Sequence, residues 1–239
     1  MNAVQSDLRR PGLRLRPFRC PGCGPSLLLQ LSDDEMQVRC VRCRGTPVHL
    51  SLIQALASHA GPLARLDAYE LSTTGALLRH LRRHCRSVTT SEYLEGVAPG
   101  RSRDGIRCED VQSLSFADRS FDLCTSTEVF EHVPDDRAGL RELHRVLRPG
   151  GRLLLTVPLT GQQITRERAR RDGKQVEHLL SPTYHGDRLK GPGKVLVYRD
   201  YGNDIIERVL DAGFRVARLW TPPQSLFGHA RPVLIAERD

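Results

Sequence analysis

The sequence predicts an α/β fold with a mostly parallel sheet, preceded by a small zinc ribbon. The ribbon is predicted by two CxxC pairs within residues 17–50. The sheet is predicted because strand-like apolar runs alternate with segments of helical spacing from residue 65 onward. We therefore expect two domains, a ribbon at 17–50 and an α/β domain at 65–239.

Composition limits the class of protein. A chain of 239 residues with 39% hydrophobic content can form one medium domain and a small module. No apolar run is long enough for a membrane span, and the first residues lack the apolar region of a secretory signal, so we expect a cytoplasmic protein. The net charge of +8 is spread along the chain, which favours a compositional bias over a nucleic-acid partner. The oligomeric state stays open.

The ribbon depends on Cys20, Cys23, Cys40 and Cys43. Two CxxC turns facing each other across a hairpin can place four thiolates tetrahedrally around one zinc ion. Since protein ligands would fill all four positions, we expect a structural metal. The alternative is four unligated cysteines or a redox pair.

The remaining elements follow from hydrophobic spacing and from turn residues. After a helical connector at 51–64, strands are predicted at 66–70, 87–91, 105–109, 121–126 and 152–157. Helices are predicted between them at 75–85 and 134–147. A helix at 204–212 and two strands at 214–220 and 232–237 complete the order.

Residues 159–200, called the lid below, interrupt this order after the fifth strand. That position lies over the carboxyl ends of the sheet, where open α/β sheets bind their ligands. We therefore predict that the segment covers a substrate.

The stretch from Ser113 to Pro158 resembles the type 11 methyltransferase family. Its pattern is an aspartate, a leucine-phenylalanine turn, "SFD", a strand, "EHV", a helix, and "LRPGG" before the next strand. The resemblance implies a Rossmann-like class I methyltransferase fold with a mostly parallel seven-stranded sheet. It also implies an enzyme whose cofactor is S-adenosyl-L-methionine.

The same resemblance assigns cofactor contacts to particular residues. Glu92, at the end of the second strand, would bind both ribose hydroxyls. Asp110 would accept a hydrogen bond from the adenine amino group, and Val111 would pack on the ring. Thr127 would lie beside the methyl donor, and His132 would shape the pocket.

The first motif departs from the family pattern E-x-G-x-G-x-G. After Glu70, the residues Ser72, Thr74 and Ala76 occupy the usual glycine positions, and Gly75 is offset by one. We still assign Glu70, Ser72 and Gly75 to the cofactor site, because small side chains allow the backbone to approach a ligand closely. The alternative is a fold that no longer binds the cofactor. The first motif, which begins at Glu70, and a later "YHGD" segment resemble those of a subset of sugar- and glycan-associated bacterial methyltransferases.

The lid contributes His185 and Asp187 as the candidate catalytic pair. A hydroxyl acceptor needs a base to remove its proton, and a histidine oriented by a carboxylate is a common arrangement. The alternative is that both residues only stabilise the lid.

Three functions compete at this point. The favoured one is O-methylation of a sugar, glycan or other small metabolite, with that molecule as the partner. The second is base methylation of ribosomal or transfer RNA, since an N-terminal zinc ribbon before this fold resembles ribosomal guanine methyltransferases. The third is a non-catalytic module that binds a cofactor or a partner.

Overall fold

The computed structural model describes residues 12–173, 175–187 and 191–239. The chain begins with an antiparallel three-stranded sheet of β1 (Arg14–Cys20), β2 (Gly24–Gln30) and β3 (Val38–Cys40). A short 3-10 turn, Glu35–Gln37, leads into β3, and the Asp34 carboxylate caps it by accepting from the Met36 N–H at 2.7 Å. The two CxxC turns therefore lie at one end of this sheet.

The central sheet has six strands in the order β16-β17-β9-β8-β4-β5. Neighbours among β9, β8, β4 and β5 run parallel, whereas β17 is antiparallel to both β9 and β16. This arrangement confirms the predicted mostly parallel α/β sheet. The strands are β4 (Asp67–Glu70), β5 (Ser87–Thr90), β8 (Phe121–Thr127), β9 (Leu147–Thr156), β16 (Val216–Trp220) and β17 (Val233–Glu237).

The predicted third strand is reduced to a single bridge. The chain forms a small hairpin of β6 (Ser102–Arg103) and β7 (Ile106–Arg107), and Cys108 then bridges Glu92 in parallel. The Cys108 N–H donates to the Arg101 carbonyl and its carbonyl accepts from Gly100, so a local loop takes the backbone bonds that would extend a strand. The seventh position of the sheet is therefore occupied by residues 107–109 alone.

Among the described residues, four α-helices pack around the sheet: α1 (Pro47–His59), α2 (Ala76–His84), α3 (Asp136–Val146) and α4 (Ile205–Asp211). Helix α1 begins earlier than predicted because Pro47 occupies its first turn, where no N–H is needed. Helix α3 starts where the Asp135 carboxylate accepts from the Ala138 N–H at 2.9 Å. It buries Leu140 and Leu143 on its sheet-facing side. None of the described helices is long and apolar enough to cross a bilayer.

The lid consists of small antiparallel pairs rather than a plain loop. Strand β10 (Arg166–Glu167) pairs with β15 (Arg199–Asp200), β11 (Ala169–Asp172) with β12 (Gln175–His178), and β13 (Tyr184–Asp187) with β14 (Gly191–Leu196). Its inner end is attached to the turn after β8, because the Tyr198 N–H donates to the Glu131 carbonyl at 2.7 Å. The inner end of the lid is therefore held against the turn after β8.

The ribbon shares a hydrophobic core with the sheet. Cys20, Leu28 and Cys40 belong to one buried cluster with α1 and with sheet residues such as Leu123 and Leu154. The ribbon is therefore packed onto the α/β domain through a continuous apolar interior.

Candidate functional site

The four predicted zinc ligands come together at one end of the ribbon. The Sγ atoms of Cys20 and Cys43 are 3.7 Å apart, those of Cys23 and Cys40 are 3.6 Å apart, and all four lie within 4.8 Å of one another. Sulfurs at the corners of a tetrahedron with Zn–S bonds of about 2.3 Å are separated by about 3.8 Å. The cluster thus fits one tetrahedral zinc ion.

The thiols of this cluster differ in acidity. Burial raises the pKa of Cys23 to about 11. The hydrogen bond that Cys43 accepts from Cys20 lowers the pKa of Cys43 to about 5. One thiolate is therefore favoured already, and a divalent cation would favour the other three as it binds.

A cavity of about 370 Å³ opens at the carboxyl edge of the sheet. It is lined by the ends of β4 and β5, by residues 109–112, by the turn after β8, and by lid residues from β11 to residue 198. The cavity includes four of the predicted cofactor residues, Glu92, Asp110, Val111 and His132. The sheet edge and the lid thus form one site, which we call the sheet-edge cavity.

Glu92 is held by the loop that replaces the glycine-rich motif. Its Oε1 atom accepts hydrogen bonds from the Thr73 N–H at 2.8 Å and from the Thr73 hydroxyl at 2.7 Å. Sequence reasoning missed Thr73 because it treated the loop as a permissive backbone. The threonine fixes the orientation of the carboxylate that faces the cavity.

Asp110 is oriented by Gln112 in a similar way. Its Oδ1 accepts from the Gln112 backbone at 2.9 Å and from the Gln112 side chain at 3.0 Å. The side-chain amide oxygen of Gln112, Oε1, accepts in turn from the Asp135 N–H at 2.9 Å. Asp110 is thereby tied to the start of α3, and the adjacent Val111 is nearly buried at 9% exposure.

Glu70, at the end of β4, and Ser72, in the loop after it, do not line the cavity. The Glu70 carboxyl is 1% exposed and accepts a hydrogen bond from the Thr125 hydroxyl. Burial raises the pKa of Glu70 to about 8. The Ser72 hydroxyl bonds the Thr74 backbone at 3.3 Å and 3.4 Å, so it stabilises the loop itself.

Gly75 occupies a backbone conformation that only glycine adopts readily. Its φ is 111° and its ψ is 173°, and a side chain there would meet His49 Nε2 at 3.0 Å. His49 lies on α1, directly after the ribbon, and its Nδ1 bonds the Thr46 hydroxyl at 2.9 Å. The residue that precedes α2 is therefore fitted against the helix that follows the ribbon.

Thr127 is the last residue of β8 and is half-buried, whereas Glu128 after it lines the cavity with a left-handed φ of 52°. Arg231 lies 3.5 Å from Glu128 and 2.7 Å from Glu35 of the ribbon. One guanidinium thus links the ribbon to the side of the cavity that Glu128 lines.

His132 and His185 lie side by side with Glu131 between the sheet and the lid. The two imidazole rings meet edge to face with centroids 5.0 Å apart. Glu131 Oε1 is 3.6 Å from His132 Nε2 and 3.8 Å from His185 Nδ1. Burial lowers the pKa of His185. The side chain of Asp187 lies outside the described part of the chain, so its pairing with His185 stays a prediction.

A buried ion network under the lid was also missed by sequence reasoning. Arg199 is 3% exposed and donates to the carbonyls of Phe130, Val133 and Pro134 at 2.6–3.0 Å. It also lies 3.2 Å from Glu167. An arginine inside the lid carries no motif signal, and only the fold reveals that it holds the turn containing His132.

Part of the chain is similar to a known protein family. Residues 70–155 match the family described as "Methyltransferase domain". A 27-O-demethylrifamycin SV methyltransferase of Amycolatopsis mediterranei is 36% identical over 89 residues, which cover 35% of this chain and 33% of that protein. The chain spans less than two thirds of the first curated relatives it matches.

Two solved structures share the architecture. An S-adenosylmethionine-dependent methyltransferase from Mesorhizobium loti aligns with a TM-score of 0.51 at 18% identity, covering 79% of this chain and 98% of that one. The 1,6-didemethyltoxoflavin-N1-methyltransferase of Burkholderia thailandensis, solved with bound S-adenosylhomocysteine, aligns with a TM-score of 0.50 at 18% identity, covering 79% and 78%. Residues 70–155 are therefore similar to a methyltransferase-domain family, and the chain has the fold of class I S-adenosylmethionine-dependent methyltransferases.

Proposed function

We propose that the protein transfers the methyl group of S-adenosylmethionine to a hydroxyl of a sugar, glycan or other small metabolite bound under the lid. The observation that carries the proposal is the sheet-edge cavity, in which Glu92 and Asp110 face lid residues across one space. A site built from the sheet and a lid can hold donor and acceptor together, as in-line methyl transfer requires.

The cofactor half of the proposal rests on two oriented carboxylates. Both Thr73 bonds fall on Glu92 Oε1, so the ribose hydroxyls would bind Glu92 through Oε2. Asp110 would accept from the adenine amino group while Gln112 holds it in place. Pre-oriented acceptors of this kind lose little conformational entropy on binding.

The acceptor half rests on the lid. Arg171, Lys194 and Tyr198 line the cavity opposite the cofactor residues and can donate hydrogen bonds to a polar acceptor. His132 also lines the cavity, and His185 contacts its ring. Either imidazole could take the proton of an acceptor hydroxyl, and this is the role predicted for His185 with Asp187.

The first test is a calorimetric titration of the full chain with S-adenosylhomocysteine. We expect micromolar-range binding, and a loss of about ten- to a hundredfold in Glu92→Gln and in Asp110→Asn, because each substitution removes a charge-assisted hydrogen bond. Glu95→Gln is the matched control, since Glu95 is exposed on the same connection. No binding at millimolar ligand would favour the non-catalytic alternative.

The second test follows labelled methyl groups into separate pools of sugars and glycans, other small metabolites, and RNA. We expect label in the first or second pool and a turnover at least about a hundredfold lower in His185→Ala. His178→Ala, exposed on β12, is the control. Label that appears only in RNA would replace this proposal with the RNA alternative.

A further inference from the structure

Glu131, His132 and His185, which we call the histidine–glutamate cluster, bring one carboxylate and two imidazoles to a common point. One ligand atom from each lies within 4.8 Å of the others. The two measured separations from Glu131 Oε1 are 3.6 Å and 3.8 Å. Metal–ligand bonds of about 2.0–2.2 Å place tetrahedral ligand atoms about 3.4 Å apart, so these two separations lie within a few tenths of an ångström of that value.

The Glu131 carboxylate provides a second, independent observation. The residue is 1% exposed, and neither of its carboxylate oxygens has a hydrogen-bond partner among the described residues. A buried carboxylate without donors is costly, and proteins usually pair such a group with a cation or a metal. Arg231, the nearby guanidinium, lies against Glu128 and Glu35.

The hydrogen bonding of His132 also suits a ligand. Its Nδ1 lies 2.8 Å from the Leu196 carbonyl oxygen, which can only accept, so Nδ1 carries the proton. In the neutral imidazole the lone pair is then on Nε2, which lies 3.6 Å from Glu131 Oε1. Metal-binding histidines very commonly donate their other ring N–H to a carbonyl in this way.

From these observations we propose that the histidine–glutamate cluster binds a divalent transition-metal ion, at a site separate from the four cysteines. Two histidines and one carboxylate leave further coordination positions open, as in metal sites that bind a substrate. Mixed nitrogen and oxygen ligands favour zinc, iron(II), cobalt or manganese over calcium. His132 lines the sheet-edge cavity, so the open positions have access to an acceptor.

The role of such a metal rests on the proposed methyl transfer, and the ion would replace the imidazole base, because a metal-bound imidazole has no lone pair left to accept a proton. An acceptor hydroxyl bound to the ion would lose its proton to water more easily, because a bound cation lowers the pKa of its oxygen ligand. The oxygen would then form a bond to the methyl carbon as the methyl–sulfur bond breaks. The products are the methyl ether, neutral S-adenosylhomocysteine and one proton.

The test is a cobalt(II) titration of the full chain after its cysteine cluster has been loaded with zinc. Ligand-field bands report cobalt bound by nitrogen and oxygen, whereas thiolate charge-transfer bands would report exchange at the cysteines. We expect one additional equivalent to bind. Glu131→Gln, His132→Ala and His185→Ala should each weaken binding by more than about a hundredfold, since even removing a partner of a ligand costs 10- to 100-fold.

The control is His178→Ala, which should bind cobalt as the wild type does. Circular dichroism verifies that each variant is folded. If an alanine variant does not fold, Glu131→Gln still tests the proposal, because it preserves the shape of the side chain. The proposal fails if no additional equivalent binds, or if the Glu131 and His185 variants bind it unchanged. Titration with S-adenosylhomocysteine runs in parallel, so loss of metal binding alone leaves the proposed function standing.

Discussion

Glu70 keeps a carboxyl group inside the protein, and this has a consequence for stability. The pKa of the group is raised from 4.5 to about 8 by burial, so the folded state favours the neutral acid. Below pH 4.5 both folded and unfolded chains carry the proton. As the pH rises from 4.5 to about 8, only the unfolded chain ionises freely, and stability is lost.

We therefore expect Glu70→Gln to gain unfolding free energy relative to the wild type as the pH rises through this window. A pKa difference of one unit corresponds to about 1.4 kcal/mol. At pH 9 the unfolding free energy of Glu70→Gln should therefore exceed that of the wild type by a measurable amount, up to several kcal/mol. Urea denaturation at a series of pH values checks this, with Glu95→Gln as an exposed control. A pH-independent difference between Glu70→Gln and the wild type would contradict it.

Gly75 and Gly96 provide a matched pair of substitutions for testing the loop that precedes α2. Both have positive φ, but only Gly75 faces a neighbour, His49 Nε2, at 3.0 Å from where a Cβ would lie. We expect Gly75→Ala to cost about 1–3 kcal/mol and to weaken S-adenosylhomocysteine binding. Gly96→Ala should cost about 1 kcal/mol and leave binding unchanged. Denaturation and calorimetry on both variants distinguish the two, and equal effects would count against a role for this contact.

The residues that line the cavity were easier to predict than the residues that orient them. Glu92 and Asp110 follow strands in a recognisable pattern, and both line the cavity. Thr73 and Gln112, which orient them, act through backbone geometry that the sequence does not encode in any motif. His49 approaches Gly75 from a different part of the chain, and such a contact requires the fold.

Among the elements, strand β15 adds buried side-chain bonds to the attachment of the lid at the turn containing His132. Arg199 is buried there, whereas Arg166 on the paired strand β10 is 55% exposed and bonds Asp200 at 2.8 Å. We expect Arg199→Ala to lower the unfolding free energy by about 3–5 kcal/mol, because the buried carbonyls lose their hydrogen-bond donor and the acidic partners lose their counter-charge. Arg166→Ala should cost less than about 1 kcal/mol. Thermal and urea unfolding measure both.

If Arg199 only fills space, Arg199→Met would restore stability fully. Because the methionine cannot donate to the carbonyls of Phe130 and Pro134, we expect at most partial recovery. Full recovery would contradict the role assigned to the network.

Elements with strong hydrophobic spacing were predicted within a few residues. Helix α3 was expected at 134–147 and spans Asp136–Val146, and β8 was expected at 121–126 and spans Phe121–Thr127. The lid strands were not predicted, because short exposed hairpins have no buried face to impose alternation. The third strand shortened to a bridge because its backbone groups bond a neighbouring loop, which composition cannot indicate.

At the scale of the whole molecule, the ribbon contacts α2, and the residue that precedes α2 contacts α1, the helix that follows the ribbon. The Arg79 guanidinium of α2 donates to the Cys43 carbonyl at 2.5 Å, and His49 meets Gly75. If zinc holds the cysteine cluster together, loss of the zinc should affect the sheet-edge cavity as well as the ribbon. We expect Cys20→Ser, or strong chelation, to lower unfolding free energy by at least ~3 kcal/mol and to weaken S-adenosylhomocysteine binding.

Cys85→Ser is the control, since Cys85 lies at the end of α2 and outside the cysteine cluster. The shared core predicts one transition, so the fluorescence of Trp220 in the sheet and the release of zinc should report the same midpoint. Two separate midpoints would mean that the ribbon unfolds as an independent domain. Elemental analysis should give one zinc per chain for the cysteine cluster.

The position of β17 constrains how the chain acquires its structure during synthesis. This strand, Val233–Glu237, comes latest in the sequence among the described strands, yet it lies between β9 and β16. Until the ribosome has released it, β9 presents an open edge, and Leu154 lacks its neighbour Ile235. Open edges of apolar strands promote association between nascent chains. The protein therefore depends on β17 emerging before such encounters occur, and molecular chaperones that shield the growing chain would increase its yield.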